Sequence, residues 1–469
     1  MIGGLYMAKF REMFTPKDMT QGTPWKRIVE FSIPMLIGNI AQQFYNTADS
    51  IIVGRYIGDN ALASVGSAGP ILNLLLVFFV GVATGAGILV SQYFGAKDRE
   101  KLSRSIGVSI TLVAIISIVI MIVGPFIVRP LLNLLNTPDS IINWSEEYLK
   151  IFFIGIIGFS YFNILSGILR GLGDSVSALV FLLISTALNV VLDIYFVAKL
   201  DMGVGGVALA TVIAQGISAI LCLIKLLKMK DVFDLSLETL MPRKDYYLRL
   251  LKLGLPSGFT HAIFSLAMIV VQSLTNSFGE MVIACNVIIM RVDGFAMMPN
   301  FTFGTAMTTF VGQNVGARKM DRVDEGMRDG TKISVGVSTI ITIIILVFGK
   351  YLMMLFTNTS ELIELSMRMM RILAVGYIAM AVTQNLSGVM RGAGDTITPM
   401  WISLITTIIL RVPIAYGLAY MTRSESYPVG RPESIFISLL TAWVFGAIIT
   451  TIFYRKGSWR EKALVDEEV

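Results

Sequence analysis

Twelve apolar stretches of about 20 residues or more, divided by polar loops, leave this chain very few folds to adopt. They run over residues 28–54, 62–93, 103–128, 147–169, 175–198 and 204–227, and, after a polar, basic stretch at 228–245, over 250–278, 281–311, 332–352, 367–390, 397–421 and 434–454. In lipid every backbone N–H and C=O must be paired within the span, so stretches of this length cross as helices and do not suit the short strands of a barrel. Composition agrees, with 55% of residues hydrophobic and only 15% charged, against about 25% charged in soluble domains. The sequence therefore predicts an all-α integral membrane protein with 12 transmembrane helices. The first apolar run is too long for the core of a signal peptide and has no small-residue cleavage site after it, so no cleaved leader is expected.

Lysine and arginine set the expected orientation. The amino-terminal segment, every second loop and the carboxyl tail hold about 27 of the 38 basic residues. That bias places both termini in the cytoplasm of a multi-pass cell (inner) membrane protein. The expected organisation is a cytoplasmic segment at 1–27, a first lobe at 28–227, a cytoplasmic linker at 228–249, a second lobe at 250–454 and a tail at 455–469. The net charge of +6 is scattered between apolar runs and not gathered into one patch, so a nucleic-acid partner is not expected. Cys222 and Cys285 fall inside apolar segments and read as small buried hydrophobes.

The chain repeats itself. Residues 165–175 read LSGILRGLGDS and residues 386–396 read LSGVMRGAGDT, 221 positions apart. Gln92-Tyr93-Phe94-Gly95-Ala96 and Gln313-Asn314-Val315-Gly316-Ala317 are again 221 apart, while Pro34 and Pro256 are 222 apart. Each half has six spans and enters the membrane from the same side, which predicts two six-helix lobes related by a pseudo-two-fold axis along the membrane normal, with substrate held between them. In the two RG-G-D loops the glycines suit a tight turn, and Asp174 and Asp395 are placed to cap the helices that follow.

Charges inside the membrane are costly and point to function. Asp49 lies deep in the first span and shares one helical face with Gln42, Tyr45 and Asn46. Asp193 lies in the fifth span one turn after Asn189, and Thr211 adds a hydroxyl from the sixth. Asp49, Asn189, Asp193 and Thr211 are therefore the expected cation-coupling set. These hard oxygen ligands suit Na⁺, and two adjacent carboxylates in a low dielectric equally suit a shared proton. The second half does not copy the set, since Val271 stands where Asp49 would be. It offers Gln272 in the seventh span and Met290 and Asp293 in the eighth; with Gln42, Tyr45, Asn46 and Asn163 these form the expected substrate cavity. Arg291 and Asp293 are two apart and point to different faces, Arg411 is a potential partner for one of them, and His261 reads as a packed or cavity-lining residue. Methionines near Phe295, Phe301 and Phe303 suit either an adaptable ligand wall or ordinary packing.

SIPMLIGNIAQQFYNTADSIIVG around Asp49, LNVVLDIYFV with Asn189 and Asp193, the QYFGAKD and QNVGARK loops and the paired RG-G-D turns together resemble the multidrug and toxic compound extrusion (MATE) family, in its prokaryotic DNA-damage-inducible-type branch. The resemblance runs from about Pro34 to Tyr454. It implies a monomeric cation/drug antiporter that expels cationic, lipophilic drugs or toxins by alternating access, with two lobes forming a V around a central cavity. It also implies that Asp49, Asn189, Asp193 and Thr211 form the acidic cluster of the first lobe. No cofactor is expected beyond the coupling ion, H⁺ or Na⁺. A flippase for lipid-linked precursors, from the wider superfamily, is the alternative; such proteins often have fourteen helices and strongly cationic cavities. No nucleophile–base constellation, metal cluster or phosphate loop suggests an enzyme.

Overall fold

The computed structural model describes residues 15–463, without the side chains of 46–48 and 59. Among the described residues, twelve long helices follow the apolar pattern. The first six are α1 (Pro24–Tyr56), α2 (Asp59–Gly95), α3 (Arg99–Leu134), α4 (Asp139–Ile154 with Ile156–Gly171), α5 (Ser175–Asp193, continued as a wider π turn over Ile194–Lys199) and α6 (Gly203–Leu227). The second six are α7 (Lys244–Ser277), α8 (Glu280–Gly316), α9 (Met320–Met354), α10 (Ser360–Ala374 with Gly376–Gly392), α11 (Ile397–Leu404, a π turn over Ile405–Leu410, then Arg411–Met421) and α12 (Glu433–Lys456). α4 and α10 are bent, by 54° and 42°. A helix whose apolar pattern is continuous gives no warning of such a bend, which here falls at Gly155 in α4 and at Val375 in α10.

The chain forms two compact units. Among the described residues, one is Ile33–Gly258 with residues 15–18; the other is Met19–Ser32 with residues 259–463. The division falls inside α1, beside Pro34, and inside α7, beside Pro256, and not in the linker. Proline removes one hydrogen bond from the helical ladder, so the helix is weakest close to where it passes from one unit into the other.

Packing within the two units is equivalent. In the first, α2 packs on α4, α4 on α6 and α5 on α6; in the second, α8 packs on α10, α10 on α12 and α11 on α12. The LSG motif explains the closest of these contacts. A Cβ on Gly167 would sit 2.6 Å from the Ala83 carbonyl oxygen, and one on Gly388 would sit 2.2 Å from that of Gly304. Only glycine lets α4 meet α2, and α10 meet α8, at that distance. The RG-G-D turns are structural in both halves. Gly173 (φ 84°) and Gly394 (φ 101°) adopt the left-handed conformation. Asp174 accepts from Ser177 N at 2.9 Å and its hydroxyl at 2.7 Å, and Asp395 accepts from Thr398 N at 3.1 Å and its hydroxyl at 2.7 Å. Each cap carries a lysine, Lys225 at 3.6 Å from Asp174 and Lys462 at 3.9 Å from Asp395.

Both ends of the described chain dock on the second unit. Gln313 accepts from Met19 N at 2.8 Å, and Arg322 donates to Met19 O and to Gln21 O, each at 3.0 Å. At the other end Arg460 pairs with Asp324, and Trp459 stacks on Tyr454 with centroids 5.3 Å apart. The QNVGARK corner between α8 and α9 thus clamps Met19 and Gln21, near the start of the described chain.

Candidate functional site

The first unit brings its two intramembrane acids together. α1 brings Asp49 and Tyr45, α5 brings Asn189 and Asp193, and α6 brings Thr211. The Asp49 and Asp193 carboxylates lie within hydrogen-bonding reach of one another. Asp193 is fully buried and Asn189 is 2% exposed. With the Asn189 amide nitrogen towards Asp193, it donates to the carboxylate at 2.8 Å, and the amide oxygen accepts from Thr211 N at 3.0 Å and Oγ1 at 3.2 Å. That orientation satisfies both ends of the amide. The Tyr45 hydroxyl lies beside Thr211 and faces both acids. One oxygen of each carboxylate, Oδ1 in both, is buried with no hydrogen-bond partner in the protein.

Chemically this is an incomplete set. Two carboxylates in contact in a low dielectric cannot both stay charged without a proton or cation between them. The backbone helps to present Asp193, because the regular ladder of α5 gives way to the π turn immediately after it, and such turns recur at functional positions. A cavity of about 10 Å³ adjoins the cluster, lined by Gln42, Tyr45, Thr186, Asn189, Thr211 and Gln215 among others. That is space for one water-sized group. Gln215, whose side-chain oxygen is buried without a partner, was not foreseen; as one more amide in an apolar helix it carried no distinguishing signal.

The second unit contains a much larger cavity, of about 380 Å³, a size suited to a drug-like molecule. Gln272, Met290 and Asp293 line it, with Phe264, Met268, Met297, Phe301, Phe436 and Trp443 as apolar wall and Arg391 and Arg411 as basic groups. The methionines divide between the two expected roles, since Met290 and Met297 face the cavity while Met307 is fully buried packing. Asp293 has Tyr377 beside it and the Arg411 charge nearby, whereas Arg291 is exposed. Gln272 donates to Asn276 at 2.8 Å and accepts from Asn286 at 3.4 Å, an amide chain at the cavity wall. His261 is exposed and is not among the lining residues. Asn163 lines neither cavity; its amide donates to Phe159 O one turn back, at 2.8 Å. The Asn46 side chain lies outside the described residues. Arg391, Tyr377 and Trp443 are among the residues of this region that the sequence did not place there, because only the folding of α10 and α12 around α8 brings them together.

The MatE family model matches residues 34–195 and again 256–417, two matches 222 positions apart, as Pro34 and Pro256 are. The probable multidrug resistance protein YpnP of Bacillus subtilis (strain 168) is 31% identical over 451 residues, covering 96% of this chain and 99% of YpnP. The probable multidrug resistance protein NorM of Thermotoga maritima is 25% identical over 448 residues, covering 94% of this chain and 95% of NorM. A solved structure described as the outward-facing conformation of a multidrug resistance MATE family transporter superimposes with a TM-score of 0.87 at 25% identity, covering 96% of this chain and 100% of that one. Nine of the described helices are each long and apolar enough to cross a membrane, and the bent α4 and α10 pass that test as pairs. Doubled helical units, apolar spans and a twice-matched family model lead to one conclusion: the chain is a multi-pass membrane protein of the MatE family of transporters.

Proposed function

We propose that the protein is a secondary active exporter in which H⁺ or Na⁺ entering at Asp49 and Asp193 drives organic cationic, lipophilic drugs or toxins out of the cell. It acts as a monomer in the cell (inner) membrane with both termini in the cytoplasm. The observation that carries this reading is the contact between the two carboxylates at membrane depth, each with an unsatisfied buried oxygen. With a proton or Na⁺ between them the pair is relieved of its repulsion. Without it the pair attracts a cationic drug. Ion and drug then disfavour each other's bound state, which is the reciprocal linkage that exchange requires. Asn189, Thr211 and Tyr45 hold the acids in place through either state. Similarity to the multidrug export protein MepA of Staphylococcus aureus (24% identical over 376 residues) and to the probable multidrug resistance protein YpnP supports this reading.

The test is dye extrusion from vesicles under an imposed pH gradient or Na⁺ gradient, applied separately. Asp49→Asn is expected to lose uphill extrusion while reaching the membrane in normal amount. Undiminished uphill extrusion by that variant refutes the assignment, and the gradient that drives the wild type identifies the ion.

A further inference from the structure

The large cavity of the second unit has the wrong charge for a site devoted to cations. Among the described residues that line it, the ionisable side chains are one carboxylate, Asp293, and two guanidiniums, Arg391 and Arg411. Arg411 is 8% exposed, yet its Nε is buried with no hydrogen-bond partner in the protein. Asp293 lies close enough to feel its charge, but the Asp293 Oδ1 is likewise buried and unpartnered. An apolar interior does not keep donors and acceptors idle without cost. The Arg411 guanidinium is a planar fork that matches a carboxylate in two parallel hydrogen bonds. Arg411 also directly follows the π turn of α11, the kind of backbone irregularity that accompanies Asp193 in the first unit.

We propose that this cavity binds an amphipathic organic carboxylate, with its acid group on Arg411 and its apolar body against Met290, Met297, Phe301 and Trp443. A monoanion balances the lining's surplus positive charge. The guanidiniums oppose an organic cation placed there, since opposition between like charges strengthens as the dielectric falls. Met290 and Met297 supply a wall that adapts to bodies of different shape. The proposal stands on the cavity alone and does not require the exchange reaction assigned to Asp49 and Asp193.

The experiment is equilibrium dialysis of the full chain in nanodiscs, with binding to empty nanodiscs subtracted. Three probes share one ring system: naphthylacetate, naphthylethanol and naphthylethylammonium. Naphthylacetate is expected to bind about tenfold more tightly than the alcohol, and the ammonium most weakly. Arg411→Gln should bring the acetate down to the level of the alcohol, and Arg411→Lys should keep part of the preference. An ammonium bound as tightly as the acetate overturns the proposal, as does an unchanged acetate preference in Arg411→Gln. If Arg411→Gln does not fold, Asp293→Asn decides: removing the competing carboxylate should tighten acetate binding several-fold, and unchanged or weaker binding refutes the assignment. The ranking should persist in Asp49→Asn, in which coupling fails; a ranking lost there would locate the probe in the first unit and equally refute it.

Discussion

Helices α5 and α11 hold corresponding places in the two units, and each packs on the last helix of its unit. At the spacing of 221 residues, Asp193 corresponds to Ile414 and Arg411 to Val190. Each helix thus has a charge within its apolar stretch, about one turn apart in the alignment and opposite in sign. Each also interrupts its regular ladder next to that charge, after Asp193 in α5 and before Arg411 in α11. The capping turns, the helix bends and the LSG contact have been retained in both copies. Architecture is therefore held by residues the copies share, while the few intramembrane charges differ between them. The first unit is a tight acid pair beside a water-sized cavity. The second is a roomy, apolar cavity with surplus positive charge.

The largest effect should come from breaking the acidic side. Asp193→Asn is expected to reduce uphill dye extrusion to the level of cells lacking the protein, while the naphthyl-probe ranking of the second unit stays as in the wild type. Loss of both together would mean that the units do not divide the chemistry.

Next in size is a test of the shared architecture. Gly167→Ala and Gly388→Ala each place a Cβ against a backbone oxygen, and each should destabilise the protein by about 2 kcal/mol or more in thermal unfolding. Gly336→Ala, in α9, meets nothing within 4 Å and should be stabilising by about 0.5–1 kcal/mol. A large loss for one LSG glycine and none for the other would break the equivalence of the two units.

A smaller effect sharpens the description of the acidic cluster. Thr211→Val removes one of the donors that fix the Asn189 amide, and should raise the ion concentration for half-maximal extrusion by about five- to tenfold. An unchanged value would take Thr211 out of the coupling set. The smallest effect concerns the paired turns. Asp174→Ala and Asp395→Ala should each cost about 1 kcal/mol of stability, similar in both units because each aspartate makes the same two bonds.

Much of this was legible in the sequence because it depends on period and spacing. Apolar length gave the spans, and the repeated LSG and RG-G-D segments gave the halves and their caps. Asp49, Asn189, Asp193 and Thr211 stood out because charge and amide groups are conspicuous in an apolar helix. What was not legible depends on tertiary placement. Nothing in the pattern around Gly155 or Val375 announces a bend, and residues 228–243 gave no sign of lying against α3. There Arg99 pairs with Asp234 at 2.9 Å, and Thr111 donates to Leu240 O at 2.7 Å. Arg411 was visible as a charge, but its place near Asp293, in one cavity with Met290 and Met297, depends on how α8, α11 and α12 pack. Asn163, chosen for its polarity alone, satisfies its amide within its own helix.

The docking of both chain ends on one corner of the second unit has a practical side. A reporter protein fused directly before Met19 or after Trp459 would pull on the clamp formed by Gln313, Arg322 and Asp324, so a tagged protein with altered transport would be reporting on its tag. The exposed stretch at 423–428, in the loop before the opposite end of α12, leaves that corner untouched. It is the better place for a fluorophore or an epitope in the vesicle and nanodisc measurements described above.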